Sequence, residues 1–259
     1  MADLRHGATL LVDVGNTRIK WARLLRGRLG RQHAAPYASW RASDFSRRIF
    51  AHCAGVTRIV VASVAGDAAA RALRRAALRT LRIEPQFAAT SARAAQVRNA
   101  YGEPWRLGVD RWVAVIGAHH LQPRRAACVV DIGTAMTIDL VDSNGRHRGG
   151  MILPGPQLMV ASLLHNTSGI RRRAAVRTRL KTSPFARDTR QGLELGARLA
   201  TAAAIDRAWR AATQELGEAP RLIVTGGAAA AISAQLDSPH RIIPDLVLRG
   251  LAVLARELD

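Results

Sequence analysis

Two segments of the sequence place an aspartate at the end of an apolar run and follow it closely with glycine. They are LLVDVGNTRIK, which contains Asp13, and CVVDIGT, which contains Asp131. Glycine lets the backbone approach a ligand, turn N–H groups can point at phosphate oxygens, and the carboxylate can hold a hydrated cation. One such turn is equally compatible with a structural Asx-turn. Two copies roughly 120 residues apart, about one domain length, favour phosphate binding from two sides.

Two further features support a nucleotide site. Lys20 follows the first turn in a chain that otherwise uses arginine almost exclusively. On a strand it shares a face with Asn16 and Arg18, so we expect it to point toward phosphates, with a surface lysine as the alternative. Thr225-Gly226-Gly227 follows the apolar run RLIV. This turn predicts close approach of the backbone to adenosine, or a structural strand-to-helix turn.

The elements that carry these residues alternate between strands and helices. A strand is predicted at 58–63, a strand running into a glycine turn at 221–227, and helices at 67–82, 110–121 and 189–213. The turn Ser143-Asn144-Gly145 joins a strand to an extended stretch at 147–153, so an antiparallel meander begins each half. We therefore predict an α/β fold of two related domains, 1–118 and 119–259.

Composition excludes several classes of protein. Hydrophobic residues make up 48% of the chain, enough for a substantial core. No apolar run approaches the roughly 20 residues of a membrane span, and no export signal is evident, so we expect a cytoplasmic protein with no membrane partner. Cys53 and Cys128 lack the paired spacing of a zinc site or disulfide framework. The P-loop and the G-x-G-x-x-G motif are absent.

The net charge of +20 raises nucleic acid as a possible partner. The arginines are scattered along the chain, which favours compositional bias. Arg71, Arg75 and Arg79 recur at helical spacing opposite an apolar stripe, as on a solvated helix face. A second patch contains Arg171, Arg172, Arg173, Arg177 and Arg179, and is compatible with an exposed loop or an anion-attracting rim.

The ordered motifs resemble those of one family. DVGNTRIK (13–20), LGVDRW (107–112), DIGTAMTID (131–139), GGMILPG (149–155) and TGG (225–227) are similar in order and spacing to type III pantothenate kinases. The resemblance covers nearly the whole chain. It implies two ribonuclease H-like domains of duplicated topology, each a mixed sheet flanked by helices, with a nucleotide cleft between them. The implied activity is ATP-dependent phosphorylation of pantothenate to 4′-phosphopantothenate, the first step of coenzyme A biosynthesis.

The resemblance also implies a role for each matched residue. Asp110 is the expected general base, although a helix cap is the simpler interpretation of its position. Asp13 is expected to help place Mg²⁺ through water, and Asp131 to bind a monovalent cation, K⁺ or NH₄⁺. ATP is expected to contact Asp13, Val14, Gly15, Asn16, Thr17, Arg18, Ile19, Lys20, Thr134, Gly226 and Gly227. Pantothenate is expected to contact Tyr101, Gly108, Val109, Asp110, Arg111 and Thr189, the last preceded by Asp188 where many relatives have asparagine.

Three hypotheses for the function follow from these observations. The first is the pantothenate kinase, expected as a homodimer with a shared active site. The second is another small-molecule kinase of the superfamily that the resemblance implies, which includes acetate and sugar kinases, heat-shock ATPases and actin. The third is a transcriptional regulator of the Bvg accessory factor type, or a nucleic-acid-binding protein, that retains the kinase fold. LGVDRW favours the first over the second because it is a feature of the family rather than of the superfamily.

Overall fold

The computed structural model describes residues 7–175 and 185–257. Within them the chain forms two compact units. The strands are β1 (Ala8–Val14), β2 (Arg18–Leu25), β3 (Arg28–Leu29), β4 (His33–Pro36), β5 (Val56–Ser63), β6 (Gln86–Phe87), β7 (Arg93–Ala94), β8 (Val97–Arg98), β9 (Ala127–Ile132), β10 (Ala135–Val141), β11 (His147–Pro154), β12 (Arg221–Thr225) and β13 (His240–Ile242). The helices are α1 (Ala42–Arg48), α2 (Asp67–Leu81), α3 (Val109–Leu121), α4 (Pro156–Asn166), α5 (Ser168–Arg173), α6 (Thr189–Leu216), α7 (Ala229–Ser233) and α8 (Leu246–Glu257).

The sheet of the first unit has the order β3-β2-β1-β5-β6, with β4 also paired to β2. β1 runs antiparallel to β2 and parallel to β5. β1 is almost wholly buried, and residues 59–62 of β5 are fully buried, as expected of central strands. The core on one face of this sheet includes Leu10, Phe45 and Leu73, which come from β1, α1 and α2.

The sheet of the second unit repeats this order as β11-β10-β9-β12-β13. β9 runs antiparallel to β10 and parallel to β12, as β1 does to β2 and β5. Its core joins Val130 and Val224 of the sheet to Ile205 of α6. The shared order confirms the predicted α/β fold of duplicated topology with mixed sheets.

The C-terminal helix α8 packs with the first unit, against α3. The contact is close because it is made through two glycines. A Cβ atom on Gly117 would lie 2.7 Å from the carbonyl oxygen of Leu246, and one on Gly250 would overlap the carbonyl group of Val113. The two helix backbones therefore approach without intervening side chains.

The observed units differ from the predicted division at residues 118 and 119. The first comprises the described residues up to Arg124, the segment Asn144–His147 and those from Asp245 onward, and the second comprises the rest. The predicted boundary falls inside α3, which packs as one helix in the first unit. The C-terminal residues differ because α8 returns to that unit.

Helix α2 bears out the amphipathic pattern expected of it. Leu73 and Ala77 are buried, whereas Arg71, Arg75 and Arg79 are exposed. In the second arginine patch, Arg171 donates to the carbonyl oxygens of Leu164 and His165, near the end of α4. Arg177 and Arg179 lie outside the described residues.

None of the helices in the described part of the chain has the length and apolar character needed to cross a membrane.

Candidate active site

The first acidic turn is the tip of the β1–β2 hairpin. Asp13 lies opposite Lys20 in the strand register. The Lys20 Nζ is 3.6 Å from an Asp13 carboxylate oxygen, and Asp13 is only 6% exposed. The hairpin therefore places a cation beside a buried carboxylate. Since β2 begins at Arg18, the predicted strand alternation includes Arg18 and Lys20 but not Asn16, which belongs to the turn.

A tyrosine that sequence reasoning missed supports this turn. The Tyr37 hydroxyl donates a hydrogen bond to the Gly15 carbonyl oxygen at 2.5 Å. Burial raises the pKa of Tyr37, and the nearby Asp13 carboxylate raises it further, so the hydroxyl keeps its proton. The turn residues Asn16 and Thr17 are exposed, which leaves their backbone accessible to a ligand. Tyr37 directly follows β4, and only its tertiary position connects it to the turn.

The second acidic turn is the tip of the β9–β10 hairpin. Asp131 lies opposite Thr137, and the turn is formed by Gly133 and Thr134. The Gly155 N–H donates to the Thr134 carbonyl oxygen at 2.9 Å. A Cβ atom on Gly155 would lie within 3 Å of the carbonyl oxygens of both turn residues. The final glycine of GGMILPG is thus required for packing against the turn.

The two glycines of the Thr225-Gly226-Gly227 turn, both predicted to contact ATP, have different surroundings. Gly226 has a φ of +98°, and a Cβ there would lie within 3 Å of Asp131 Oδ1 and the Ile132 backbone. Gly226 is therefore a structural support for the second hairpin. A Cβ on Gly227 would meet nothing within 4 Å, and Gly227 is exposed. Of the two glycines, Gly227 has the open space that an adenosine contact needs.

Asp110 lies in the first turn of α3. The N-cap residue is Gly108, which has no side chain to cap the helix, and Asp110 is the second residue of the helix. The interpretation of Asp110 as the helix cap is therefore wrong, because the cap lies two residues earlier. Its Oδ1 accepts from the Arg111 backbone N–H at 2.8 Å, and a carboxylate is favoured at a helix N-terminus by the macrodipole. A Cβ on Gly108 would lie 2.7 Å from Asp110 Oδ1, so glycine makes room for the carboxylate.

Arg111, whose backbone N–H contacts this carboxylate, also contacts Tyr101 through its side chain in the same unit. Arg111 is only 6% exposed, and its Nη1 donates to the Tyr101 hydroxyl at 3.3 Å. The Tyr101 N–H donates to Asn99 Oδ1 at 3.0 Å, which fixes the backbone of the tyrosine. A guanidinium held by a tyrosine hydroxyl is suited to bind a carboxylate or another planar anion.

Thr189 is the first residue of α6. Asp188 is the N-cap, and its carboxylate accepts from the Gln191 N–H at 2.9 Å. Aspartate and asparagine cap helices about equally well, so the aspartate at this position keeps the start of the helix intact. Thr189, Asp131, Thr134 and Gly227 belong to the second unit, whereas Asp13, Lys20, Tyr101, Asp110 and Arg111 belong to the first.

Among residues 7–175 and 185–257, no group of three or more His, Cys, Asp or Glu side chains could by itself enclose a metal ion. Mg²⁺ is commonly held by one or two carboxylates together with phosphates and water. The buried carboxylate of Asp13, at an exposed turn, fits that kind of site. Asp131 is half-buried near the end of β9, and its carboxylate could supply an oxygen ligand to a monovalent cation.

Comparison with known proteins shows the family to which the chain belongs. The family model described as type III pantothenate kinase matches residues 9–211. The chain belongs to the type III pantothenate kinase family. A type III pantothenate kinase of Aromatoleum aromaticum is 41% identical, covering 96% of this chain and 98% of the relative. One from Nitrosococcus oceani is 33% identical, covering 96% and 94%.

Two solved structures are similar to this pantothenate kinase in fold. A Baf family transcriptional activator from Campylobacter jejuni has a TM-score of 0.56 at 19% identity, covering 96% of this chain and 98% of that one. The ethanolamine utilization protein EutJ from Carboxydothermus hydrogenoformans has a TM-score of 0.52 at 11% identity, covering 95% and 89%. At these identities the likeness concerns the fold alone.

Proposed function

We propose that this type III pantothenate kinase transfers the γ-phosphoryl group of ATP to pantothenate, giving 4′-phosphopantothenate for coenzyme A synthesis. The observation that carries the proposal is the arrangement at the start of α3. Asp110 lies there beside the buried Arg111, whose guanidinium contacts Tyr101. These residues lie within the part of the chain that matches the family model.

Asp110 is the proposed general base. Its carboxylate accepts the proton of the pantothenate 4′-hydroxyl as the oxygen attacks the γ-phosphorus. The bond between that phosphorus and the β,γ-bridging oxygen breaks, and ADP leaves. Helix α3 holds the carboxylate at its first turn, so the base is positioned before substrate binds.

Arg111 and Tyr101 are proposed to bind and orient pantothenate. Arg111 carries a full positive charge at a largely buried position, which suits the carboxylate of pantothenate. Gly108 and Val109 present backbone next to the base, and Thr189 adds a hydroxyl from α6. These contacts determine which alcohol reaches Asp110.

The first hairpin is proposed to hold the triphosphate. Lys20 provides a point charge beside Asp13, and the exposed turn from Gly15 to Arg18 provides backbone N–H groups. Asp13 would hold Mg²⁺ through water, and the bound ion would neutralise charge on the phosphate oxygens. Thr134 and Gly227 are also proposed to contact ATP, and Asp131 to bind K⁺ or NH₄⁺.

A homodimer is part of the proposal. The second unit exposes large apolar side chains on β11, α4 and α6, including Ile152 at 66% and Leu199 at 68% exposure. Helix α4 packs against α6, so several of these residues lie on neighbouring elements. Exposed apolar residues on adjoining elements favour a second copy of the chain as the partner.

The decisive variant is Asp110→Asn. It removes the proton acceptor, so we expect turnover to fall roughly 10²- to 10⁴-fold. The assay is pantothenate-dependent release of ADP with Mg²⁺ and K⁺ present. Asp142→Asn serves as a carboxylate control and should leave turnover near the original value. Near-normal turnover in a folded Asp110→Asn protein would exclude Asp110 as the base.

A further inference from the structure

A buried histidine outside the proposed active-site set contacts the tyrosine of that set. His147 is 3% exposed and is the first residue of β11. Its ring stacks on Tyr101, with the ring centroids 6.1 Å apart and the planes inclined by 15°. The Tyr101 hydroxyl accepts a hydrogen bond from the Arg111 guanidinium. Tyr101 is thus held by its ring face and by its hydroxyl.

The backbone fixes where His147 lies. The segment Asn144–His147 packs with the first unit, whereas β11 continues in the second from Arg148. The Arg98 N–H donates to the Gly145 carbonyl oxygen at 2.8 Å, and Arg98 also forms a bridge with Arg146. Two consecutive residues of the segment are therefore anchored to β8.

Gly145 makes this anchoring possible. Its φ is +77°, which favours glycine, and an added Cβ would overlap the Gln96 carbonyl oxygen and lie 3.2 Å from His119 Nε2. The turn therefore packs closely against the first unit. His147 follows it two residues later, so its ring is delivered to Tyr101 by a constrained backbone.

We propose that His147 is a positioning residue for pantothenate. Its ring fixes the plane of the Tyr101 phenol, so that the hydroxyl stays within reach of the Arg111 guanidinium. Tyr101 has a backbone anchor at Asn99, but that bond leaves the side-chain torsions free. The flat face of His147 restricts those torsions. Correct placement of Arg111 and Tyr101 then lowers the cost of binding pantothenate next to Asp110.

The inference rests on the proposed function because it assigns Tyr101 to the pantothenate site. The kinetic test compares His147→Ala with His147→Phe, which keeps a flat ring. We expect the alanine variant to raise KM for pantothenate about three- to tenfold, the range given by a typical aromatic pair. KM for ATP should stay unchanged, and the phenylalanine variant should stay near the original values.

The matched control is His33→Ala. His33 also stacks on an aromatic ring of the first unit, Trp21, with centroids 5.6 Å apart and planes at 17°. We expect this control to change neither KM. The inference is overturned if His147→Phe is as impaired as His147→Ala, or if the alanine variant raises both KM values equally.

A spectroscopic test needs no catalysis. The chain has two tyrosines, so 3-fluorotyrosine labelling gives one fluorine signal from Tyr37 and one from Tyr101. Tyr101→Phe assigns them. In the ligand-free protein we expect His147→Ala to shift the Tyr101 signal and leave the Tyr37 signal in place. An unchanged Tyr101 signal overturns the inference, whereas failure of the wild-type protein to phosphorylate pantothenate overturns the proposed function.

Discussion

The two acidic hairpins share a backbone plan and differ in what surrounds the aspartate. Asp13 is buried, faces Lys20 across the hairpin and lies in β1, which is followed by a turn of three residues, 15–17. Asp131 is half-buried, faces Thr137 and lies in β9, which is followed by a turn of two residues, 133–134. The first turn is supported by a tyrosine hydroxyl, and the second by the backbones of two glycines.

We propose that this difference lets one duplicated unit serve two purposes. A buried carboxylate with a lysine beside it is suited to a metal-bound phosphate chain, because both charges can be used by the ligand. A carboxylate without that lysine, packed against glycine backbone, is suited to a cation of low charge. The two halves have therefore kept their topology and diverged in electrostatics.

The largest expected effect separates the two aspartates directly. We expect Asp13→Asn to lower kcat/KM for Mg-ATP roughly 10²-fold, since it removes a charge that positions the metal-bound phosphates. Asp131→Asn should instead lower the response to K⁺ and leave the Mg²⁺ dependence intact. Titrating both cations against each variant measures this. Equal changes in both titrations for both variants would remove the distinction between the hairpins.

The second prediction concerns the glycine support of Asp131. Gly226→Ala introduces a Cβ at a φ of +98°, within 3 Å of Asp131 Oδ1. We expect a loss of about 1–3 kcal/mol in the free energy of unfolding, together with a weaker response to K⁺. Gly227→Ala is the adjacent control, because its Cβ would meet nothing within 4 Å. Denaturant unfolding of both variants tests the difference, and equal stability would contradict it.

The third and smallest effect concerns the positions opposite the aspartates. Lys20→Met should lower kcat/KM for ATP by about tenfold, the effect of one weakened phosphate contact. Thr137→Val, at the corresponding register position, should leave it unchanged. Steady-state kinetics at varied ATP gives both values. A comparable loss in the threonine variant would mean that the lysine is not what distinguishes the first hairpin.

Local patterns in the sequence predicted much of this architecture. The helix expected at 67–82 is α2 (Asp67–Leu81), and the strand expected at 58–63 lies within β5. Both motif hairpins formed as predicted, since their apolar runs and turn residues are contiguous. The repeated Asp-Gly motif also predicted a duplicated topology, which the matching strand orders of the two sheets confirm.

What sequence reasoning missed depends on contacts between distant residues. Helix α8 packs against α3, more than a hundred residues earlier, so a division into consecutive halves could not anticipate it. Tyr37 and His147 have no motif of their own, and only the folded chain brings them to Gly15 and Tyr101. The helix cap was predicted at Asp110 but lies two residues earlier, at Gly108, because glycine is also a common N-cap residue.

The most direct measurement is identification of the reaction product. Wild-type protein is incubated with ATP, Mg²⁺, K⁺ and pantothenate, and the products are resolved by mass spectrometry. We predict equimolar ADP and 4′-phosphopantothenate, with neither formed when pantothenate is omitted. Consumption of ATP without phosphopantothenate, or a folded protein that consumes no ATP, would contradict the account.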